Sequence, residues 1–434
     1  MKLMNKKTLR PNVLVIFTDQ QRWDTVGIHG NELDVTPNFD RLAKAGSFVP
    51  NSFTPQPVCG PARSILQTGC YPTKTGCFRN DIPLPNNQET IAHHFGRSGY
   101  DTAYIGKWHL ASSEPVVRAE QGGYDYWLAS NILEFTSWPY KTTVYDKEMR
   151  AHDLPGYRVD ALTDATIRYL DQERSNPFFL FLSFLEPHHQ NQHDNYPAPV
   201  GYEKRLAKKN VSFPPDLDTF GGTTKEHYFG YMSMVQRIDE ALGRIVEALI
   251  SLDELDNTII LFTSDHGCHF KTRNSEYKRS CHEASIRIPT MFYGPGFNNG
   301  EAISRNCSLI DFPPTLLHAA GIDIPEYMQG HSLLHTEKEH DDIFIQISES
   351  QVGRALRYKK WKYCVAAPDL DPYVNSCSEF YRETHLYDLE NDPWELNNLV
   401  SSESHGEIRK FLAHRLIQRM EEAGEKAPSI EQCL

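Results

Sequence analysis

The sequence lacks the features that mark membrane proteins and broad nucleic-acid-binding surfaces. None of its hydrophobic stretches reaches the roughly 18 residues that a membrane-spanning helix needs. The formal net charge of −13 disfavours a wide surface for nucleic acid or for anionic lipid. A local basic pocket can still exist in an acidic protein, so these absences do not exclude an anionic substrate.

Regular cysteine spacing and an apolar leader are also absent. The nine cysteines are scattered along the chain, which argues against a disulfide scaffold, and no Cys-x-x-Cys pair indicates a zinc site. The segment Met1–Arg10 is basic but lacks the apolar stretch of a signal peptide. As the sequence stands we expect a cytoplasmic protein, and a periplasmic or secreted one if a signal has been removed.

The residues that are present predict an α/β fold. Helical patterns alternate with four apolar strand-like runs, which end in charged or imidazole residues at Asp19, Lys107, His188 and Asp265. This alternation predicts a large, mostly parallel sheet flanked by helices. Because ligands bind beyond the carboxyl ends of such strands, we expect the four polar ends to share one site.

The pattern changes near residue 343. Alternating, half-exposed strand patterns follow this point, and a charged helical pattern covers about residues 403–423. The chain of 434 residues is long enough for two or three domain-sized units. We therefore predict a catalytic α/β domain over residues 1–342 and a C-terminal α+β subdomain, a small antiparallel sheet plus a helix, over residues 343–434.

A short helix is predicted to begin near Cys59. Pro61 suits the first helical turn and Gly69 is placed to end the helix. Cys59 would then lie beside unpaired N–H groups and the positive end of the helix dipole, where an anion binds. Arg63 follows four residues later and can reach the same place. Taken alone, Cys59 would more often be a buried structural cysteine, and a thiolate nucleophile whose pKa the helix end lowers is the second interpretation.

The spacing Cys-x-Pro-x-Arg at residues 59–63 resembles the signature of the type I sulfatases, whose cysteine a formylglycine-generating enzyme oxidises to formylglycine. Four further segments are similar to motifs of that family. They are Gly106–Leu110, Glu186–His188, Lys278–Pro289 and Tyr387–Glu395. The resemblance therefore covers nearly the whole chain. It implies the alkaline-phosphatase-like fold and a sulfuric ester hydrolase whose nucleophile is the hydrate of a formylglycine made from Cys59.

Two strand ends carry residues that suit a divalent cation. Asp19-Gln20 and Asp265-His266 offer carboxylate, amide and imidazole donors, although each pair alone could equally be a helix cap or a turn. The resemblance implies one cation, Ca²⁺ first and Mg²⁺ or Mn²⁺ as alternatives. Its ligands would be Asp19, Gln20, Cys59, Asp265 and His266. Gln20 and His266 depart from the commonest residues of the family, which leaves the identity of the metal open.

The resemblance also implies six catalytic residues: Cys59, Arg63, Lys107, His109, His188 and Lys278. The three cationic side chains would stabilise the oxygens of the sulfuryl group. His188 would protonate the leaving oxygen and His109 would accept a proton from the nucleophile. Without the resemblance, Lys107 would more often be a solvated residue at the end of a strand.

Polar residues near these motifs predict an anionic or polyhydroxylated substrate. The expected contacts are Asn80, His189, Lys271, Arg273 and His282. A sulfated oligosaccharide or polysaccharide is the preferred substrate, because the segments after His188 and Cys268 are similar to those of bacterial polysaccharide sulfatases. Two alternatives stay open: a phosphonate monoester or phosphodiester hydrolase of the same superfamily, and an inactive glycan-binding homologue. The sequence leaves the oligomeric state open.

Overall fold

A computed structural model describes residues 10–209, 211–335 and 341–433. Two sheets organise this part of the chain, and a short parallel ribbon accompanies them. The strands before residue 310 are β1 (Asn12–Thr18), β2 (Ser47–Phe48), β3 (Ser52–Phe53), β4 (Asp101–Lys107), β5 (Tyr126–Ser130), β6 (Thr142–Asp146), β7 (Ala151–Leu154), β8 (Phe178–Ser183), β9 (Thr258–Ser264), β10 (Met291–Tyr293) and β11 (Cys307–Ser308). Strands β3 and β11 form the ribbon, and the others form one nine-stranded sheet.

The centre of the nine-stranded sheet is parallel. The spatial order is β2-β10-β9-β1-β8-β4-β5-β6-β7, and the five strands from β9 to β5 run in the same direction. Val15 on β1 pairs with Phe181 on β8 and with Leu261 on β9. Antiparallel strands extend both edges, β10 and β2 at one and β6 and β7 at the other. The predicted mostly parallel sheet is confirmed at its centre.

Helices cover both faces of this sheet. They are α1 (Pro37–Ala45), α2 (Cys59–Thr68), α3 (Pro72–Thr75), α4 (Ile91–Arg97), α5 (Leu133–Thr136), α6 (Arg158–Leu170), α7 (Tyr202–Leu206), α8 (Pro215–Phe220), α9 (Thr224–Ser251), α10 (Glu283–Ile286), α11 (Phe312–Ala319) and α12 (Gly406–Glu422). Along β1, Val13 and Val15 join one hydrophobic cluster and Leu14 and Ile16 join the other. Successive strand side chains point to opposite faces, so a strand buried on both sides is apolar throughout.

The second sheet follows residue 341. Its strands are β12 (Asp342–Ile347), β13 (Val352–Tyr358), β14 (Trp361–Ala367), β15 (Phe380–Asp388) and β16 (Ser429–Glu431). The first four pair antiparallel in chain order, and β16 pairs parallel with β15. Leu412 and Leu416 of α12 lie in the same hydrophobic cluster as Val15 of the large sheet. The small sheet and helix are confirmed, whereas the domain boundary at residue 342 stays a prediction.

Short 3₁₀ turns complete the elements at Trp23–Thr25, Gly27–His29, Arg118–Glu120, Leu255–Asn257, Leu309–Asp311 and Glu403–His405. No helix within the described ranges combines the length and the apolar character that crossing a bilayer requires. All nine cysteines are free thiols, seven of them buried.

Candidate active site

The four predicted strand ends meet at the carboxyl edge of the parallel sheet. Asp19 follows β1, Lys107 is the last residue of β4, and Asp265 follows β9. Gly106 lets β4 approach β8 at this edge, since a Cβ atom there would lie 1.9 Å from the Ser183 carbonyl oxygen. The edge therefore brings together groups that lie far apart in the sequence, as expected for a parallel α/β sheet.

Cys59 occupies the first position of helix α2, which ends at Gly69 in the left-handed conformation (φ 67°). The backbone N–H of Gly60 donates to Asn80 Oδ1 at 2.9 Å, so Asn80 binds one of the free N–H groups of the helix end. The Cys59 side chain is almost fully buried. Its Sγ lies 2.8 Å from Lys278 Nζ, 3.3 Å from His266 Nε2 and 3.4 Å from Asp19 Oδ1.

The thiol of Cys59 is not activated by its surroundings. Burial and the neighbouring carboxylate of Asp19 raise its pKa, and this effect outweighs the opposing charges of Lys278, Lys107 and Arg63. The interpretation of Cys59 as a plain thiolate nucleophile required a lowered pKa. The structure therefore disfavours that interpretation.

A buried network of ion pairs lies beneath Cys59. Asp19 Oδ2 accepts from Lys107 Nζ at 2.8 Å and from Arg63 Nη2 at 3.0 Å. Arg63 Nη1 also donates to Ser183 Oγ, and Lys107 donates to Glu134 Oε1 at 2.8 Å. Burial opposes ionisation of Asp19, but the charges around it, Lys107 first, hold the pKa of that carboxyl well below its usual range. Asp19 is therefore a carboxylate anion at neutral pH.

The atoms around Cys59 fit a divalent cation. Donor atoms of Asp19, Cys59, Asp265 and His266 all lie within 4.8 Å of one another. Two further oxygens are buried there without a hydrogen-bond partner, Asp265 Oδ2 and Gln20 Oε1. Unpaired buried oxygens are costly, and a hard cation satisfies them.

The hydrogen bonds of this cluster aim its donors inward. His266 Nδ1 contacts the Gly267 carbonyl at 2.9 Å, so Nδ1 carries the proton and the Nε2 lone pair faces Cys59. Gln20 Nε2 donates to Tyr196 Oη at 3.0 Å, which leaves Oε1 as the free end of the amide. Burial and the charge of Asp19 raise the pKa of Asp265 to about 7. The side chains of Asp19, Gln20, Asp265 and His266 thus form a preassembled set of oxygen and nitrogen donors.

A polar pocket of about 260 Å³ opens above Cys59. Its lining includes Cys59, Asn80, His109, Glu134, Phe135, His188, Lys278 and Tyr373. Arg63 and Lys107 lie behind this lining, where Asp19 holds both of them. The six predicted catalytic residues therefore converge, four at the wall of the pocket and two beneath it.

His188 and Lys278 form a pair at the wall of the pocket. His188 Nδ1 contacts the His189 carbonyl at 2.7 Å, and its Nε2 lies 3.1 Å from Lys278 Nζ. Burial and Lys278 lower the pKa of His188 well below its usual value, so its ring is neutral. Lys278 Nζ is then the donor in this contact and His188 Nε2 the acceptor. The role of His188 as donor of a proton to the leaving group stays a prediction.

His109 lies at the same pocket with its Nδ1 atom unpaired. Its backbone is held in the left-handed region (φ 60°), and its N–H donates to the Asn131 carbonyl at 2.7 Å. Burial, together with the charge of Lys107, lowers the pKa of His109 to about 3. The imidazole is neutral at pH 7 and is able to accept a proton.

Two of the five predicted substrate contacts, Asn80 and His189, line the pocket. The other three have different partners and lie outside the described lining. Lys271 pairs with Asp194 at 2.7 Å, and Arg273 donates to the backbone carbonyls of Trp394 and Glu395. His282 is buried against Tyr387, with Nε2 and Oη 3.1 Å apart. Proximity in sequence to a motif was a poor guide here, because the loop turns these side chains away from the pocket.

Sequence reasoning missed several residues of the pocket, among them Glu134, Phe135 and Tyr373. Glu134 pairs with Lys107 and keeps its Oε2 atom unpartnered. Phe135 and Tyr373 line the pocket, and their exposed fractions are 56% and 51%, far above those of core aromatic residues. None of them lies in a recognisable motif, so only the placement of the chain reveals them.

Comparisons with known proteins agree with this geometry. A family model described as Sulfatase matches residues 11–322, and one described as N-sulphoglucosamine sulphohydrolase, C-terminal, matches residues 275–422. An ulvan-active sulfatase of Formosa agariphila is 27% identical over 97% of this chain and 83% of its own length. An N-acetylglucosamine-6-O-sulfatase of Bacteroides thetaiotaomicron is 23% identical over 98% of this chain and 88% of its own. The crystal structure of yidJ from Bacteroides fragilis superposes with a TM-score of 0.80 at 25% identity, covering 98% of each chain.

Proposed function

The chain belongs to the sulfatase family and is a sulfuric ester hydrolase, and from this premise we propose that it removes sulfate from a sulfated carbohydrate with a nucleophile made from Cys59. One observation carries the proposal. Cys59, a set of cation donors, and the pair of His188 and Lys278 all meet at one polar pocket. A site of this kind can hold an anionic ester and stabilise charge that develops on its oxygens.

The proposal includes maturation of Cys59 to formylglycine by a formylglycine-generating enzyme. The modified residue would supply a hydrated aldehyde, with one hydroxyl to attack sulfur and a second whose deprotonation would re-form the aldehyde and expel sulfate. The chain contributes the position, since α2 places residue 59 at a helix N-terminus beside Lys278. A serine or threonine at this place lacks the second hydroxyl and would retain the sulfate.

Asp19, Gln20, Asp265 and His266 would hold the cation, which we propose to be Ca²⁺, with Mg²⁺ and Mn²⁺ as alternatives. A divalent cation there supplies Lewis acidity that favours the ionised form of the nucleophile. The mainly oxygen donor set suits hard cations, and the two unpartnered oxygens, Gln20 Oε1 and Asp265 Oδ2, are what such an ion would bind. The imidazole of His266 is what keeps Mn²⁺ among the candidates.

The remaining side chains of the site bind the sulfuryl group and move protons. Lys278 Nζ lies 2.8 Å from Cys59 Sγ, so it would contact any sulfuryl oxygen at that position. Arg63 and Lys107 add positive charge from beneath, through their shared contact with Asp19. The pair of Lys278 and His188 would give a proton to the leaving oxygen, and the unpaired Nδ1 of His109 would accept one.

The pocket also supports a carbohydrate as substrate. Phe135 and Tyr373 present exposed rings at its lining, and such rings pack against the apolar faces of sugars. Asn80, His189 and Asn191 provide polar groups for hydroxyls at the same place. The relatives named above act, by their names, on ulvan and on N-acetylglucosamine 6-O-sulfate. We propose a sulfated oligosaccharide or polysaccharide as the substrate class.

The test is release of inorganic sulfate from a panel of sulfated oligosaccharides, measured by ion chromatography with matured enzyme. We expect at least one member to be hydrolysed, and Cys59→Ala to release none. An aryl sulfate and an aryl phosphodiester are compared in parallel, because a phosphonate monoester or phosphodiester hydrolase is the alternative. Higher kcat/KM on the diester would replace the sulfatase proposal, and glycan binding without sulfate release would indicate a binding protein.

A further inference from the structure

A second cluster of metal-ligating side chains lies away from the pocket. Cys281 and Cys364 are buried and His385 is nearly so, and their donor atoms lie within 4.8 Å of one another. Cys281 is in the loop between Lys278 and α10, whereas Cys364 and His385 sit opposite each other on β14 and β15. We propose that these three side chains bind one thiophilic d¹⁰ cation, for which Zn²⁺ is the probe.

The spacing of the donors suits such an ion. A zinc–sulfur bond of about 2.3 Å puts two thiolates about 3.8 Å apart in tetrahedral geometry. The three donor atoms lie within 4.8 Å of one another, so a small contraction of the cluster is enough to reach the sulfur–sulfur distance expected around zinc. Two thiolates and one divalent cation have no net charge together, so the cluster can be buried at low electrostatic cost.

A hydrogen-bond chain aims the imidazole at the sulfurs. The Thr384 hydroxyl donates to the Cys364 carbonyl at 3.1 Å, so its oxygen is left to accept the Nδ1–H of His385 at 3.0 Å. This arrangement fixes the proton of His385 on Nδ1 and leaves the Nε2 lone pair as the donor. Metal-binding histidines are held in this way in known sites.

A fourth donor lies at the edge of the cluster. His282 Nδ1 is 4.0 Å from Cys281 Sγ, and its Nε2 contacts Tyr387 Oη at 3.1 Å. His282 Nδ1 also lies 3.2 Å from Ser280 Oγ, so its lone pair would exchange that contact for the cation to complete a four-coordinate site. His282, which the sequence placed at the substrate, is thus assigned to this cluster instead.

Binding would release the two thiol protons to solvent and form two metal–sulfur bonds. It would also join the loop that carries Lys278 to strands β14 and β15 of the second sheet. The expected role is therefore structural: the cation holds the second sheet against the active-site loop.

The test measures bound metal on the full chain, kept reduced throughout. After incubation with Zn²⁺ and gel filtration, elemental analysis should find one more equivalent of zinc in wild type than in Cys364→Ser. Cys307→Ser, which changes another buried cysteine, is the matched control and should match wild type. Co²⁺ in place of Zn²⁺ should give a thiolate-to-metal charge-transfer band in the near ultraviolet with wild type and Cys307→Ser.

The Co²⁺ band should disappear in Cys364→Ser and weaken in His385→Gln. Equal zinc in wild type and Cys364→Ser, or no charge-transfer band in wild type, would overturn the proposal. So would a Cys281–Cys364 disulfide in a peptide map of protein handled under reducing conditions. If Cys364→Ser does not fold, the wild-type spectrum and His385→Gln decide the outcome. Loss of sulfatase activity plays no part in the test, so it stands apart from the proposed function.

Discussion

Two buried clusters of metal-ligating side chains in this protein differ in what surrounds them. The first, around Asp19 and Asp265, has mainly oxygen donors and adjoins a pocket at Cys59. The second, Cys281 with Cys364 and His385, is rich in sulfur and lies between the Lys278 loop and the small sheet. The donor type indicates different ions, hard in the first case and thiophilic in the second.

The contrast shows that buried charge alone does not identify an active site. Beside the second cluster, Lys362 is fully buried between Glu283 and Glu395, at 2.5 Å and 2.9 Å. That network is as deeply buried as the one at Asp19, yet it joins strand β14 to two other segments of the chain. What distinguishes the first cluster is that it adjoins a polar pocket, which Cys59 lines from the first position of α2.

The largest expected effect is a loss of sulfate release on substitution of Cys59, with no change in the zinc bound at the second cluster. Cys59→Ala should lower sulfate release by at least about 10⁴-fold, the scale seen when a nucleophile is removed. The zinc content assigned to the second cluster should be unchanged. Sulfate release and bound zinc are measured on the same preparation, with Cys307→Ser as the control for losing a buried thiol. Residual activity within tenfold of wild type would contradict the role of Cys59.

Replacing a buried lysine should lower stability most beside the second cluster. Lys362→Met leaves Glu283 and Glu395 buried without their shared cation, and we expect the free energy of unfolding to fall by about 3–5 kcal/mol. Urea denaturation followed by circular dichroism gives this value. The matched variant Lys278→Met should cost much less stability but lower kcat by about 10²–10³-fold. A larger loss of stability in Lys278→Met than in Lys362→Met, together with a larger loss of kcat in Lys362→Met, would contradict this prediction.

A smaller effect tests the substrate side of the first cluster. Tyr373→Ala should raise KM for an oligosaccharide by about 2–13-fold, which corresponds to 0.5–1.5 kcal/mol of ring contact. KM for a small aryl sulfate should stay unchanged, because that molecule does not extend past Cys59. Phe411→Ala removes an exposed ring on α12 and serves as the control. Equal changes for both substrates would argue against a sugar contact at Tyr373.

The pH dependence of stability should reflect a histidine between the clusters. Burial, with the charge of His282, lowers the pKa of His269 to about 3 from the usual 6.5. The unfolded chain then binds more protons than the folded chain between these values, so stability falls as pH drops below 6.5. From pH 6.5 to 5.5 the single histidine accounts for about 1 kcal/mol. His269→Gln should remove that part of the slope in urea denaturation, and an unchanged slope would contradict it.

The sequence predicted the first cluster because its members follow strands that periodicity reveals. The run before Asp19 and the run before Asp265 became the neighbouring strands β1 and β9, and parallel strands bring their carboxyl ends together. The amphipathic pattern of residues 225–252 predicts a helix, and α9 begins and ends within one residue of these bounds. Local patterns and one general rule of α/β sheets were therefore sufficient for the fold and for the convergence at Cys59.

The second cluster was beyond such reasoning. Cys281 and Cys364 meet only because β14 and β15 pack against the loop after Lys278, and their separation in sequence shows no ligand spacing. The antiparallel edge strands β6 and β7 were missed for a related reason, since exposed edges carry little hydrophobic periodicity. Lys271 and Arg273 were misplaced because loop side chains take their partners from distant segments.

The central claim is that residue 59, once modified, is the group that attacks sulfur. Preparations made with increasing amounts of maturing enzyme would contain increasing fractions of formylglycine at residue 59, which peptide mass spectrometry measures. The account predicts that the rate of sulfate release rises in proportion to that fraction and extrapolates to zero when every residue 59 is cysteine. A rate independent of the fraction, with full activity in the unmodified protein, would contradict it.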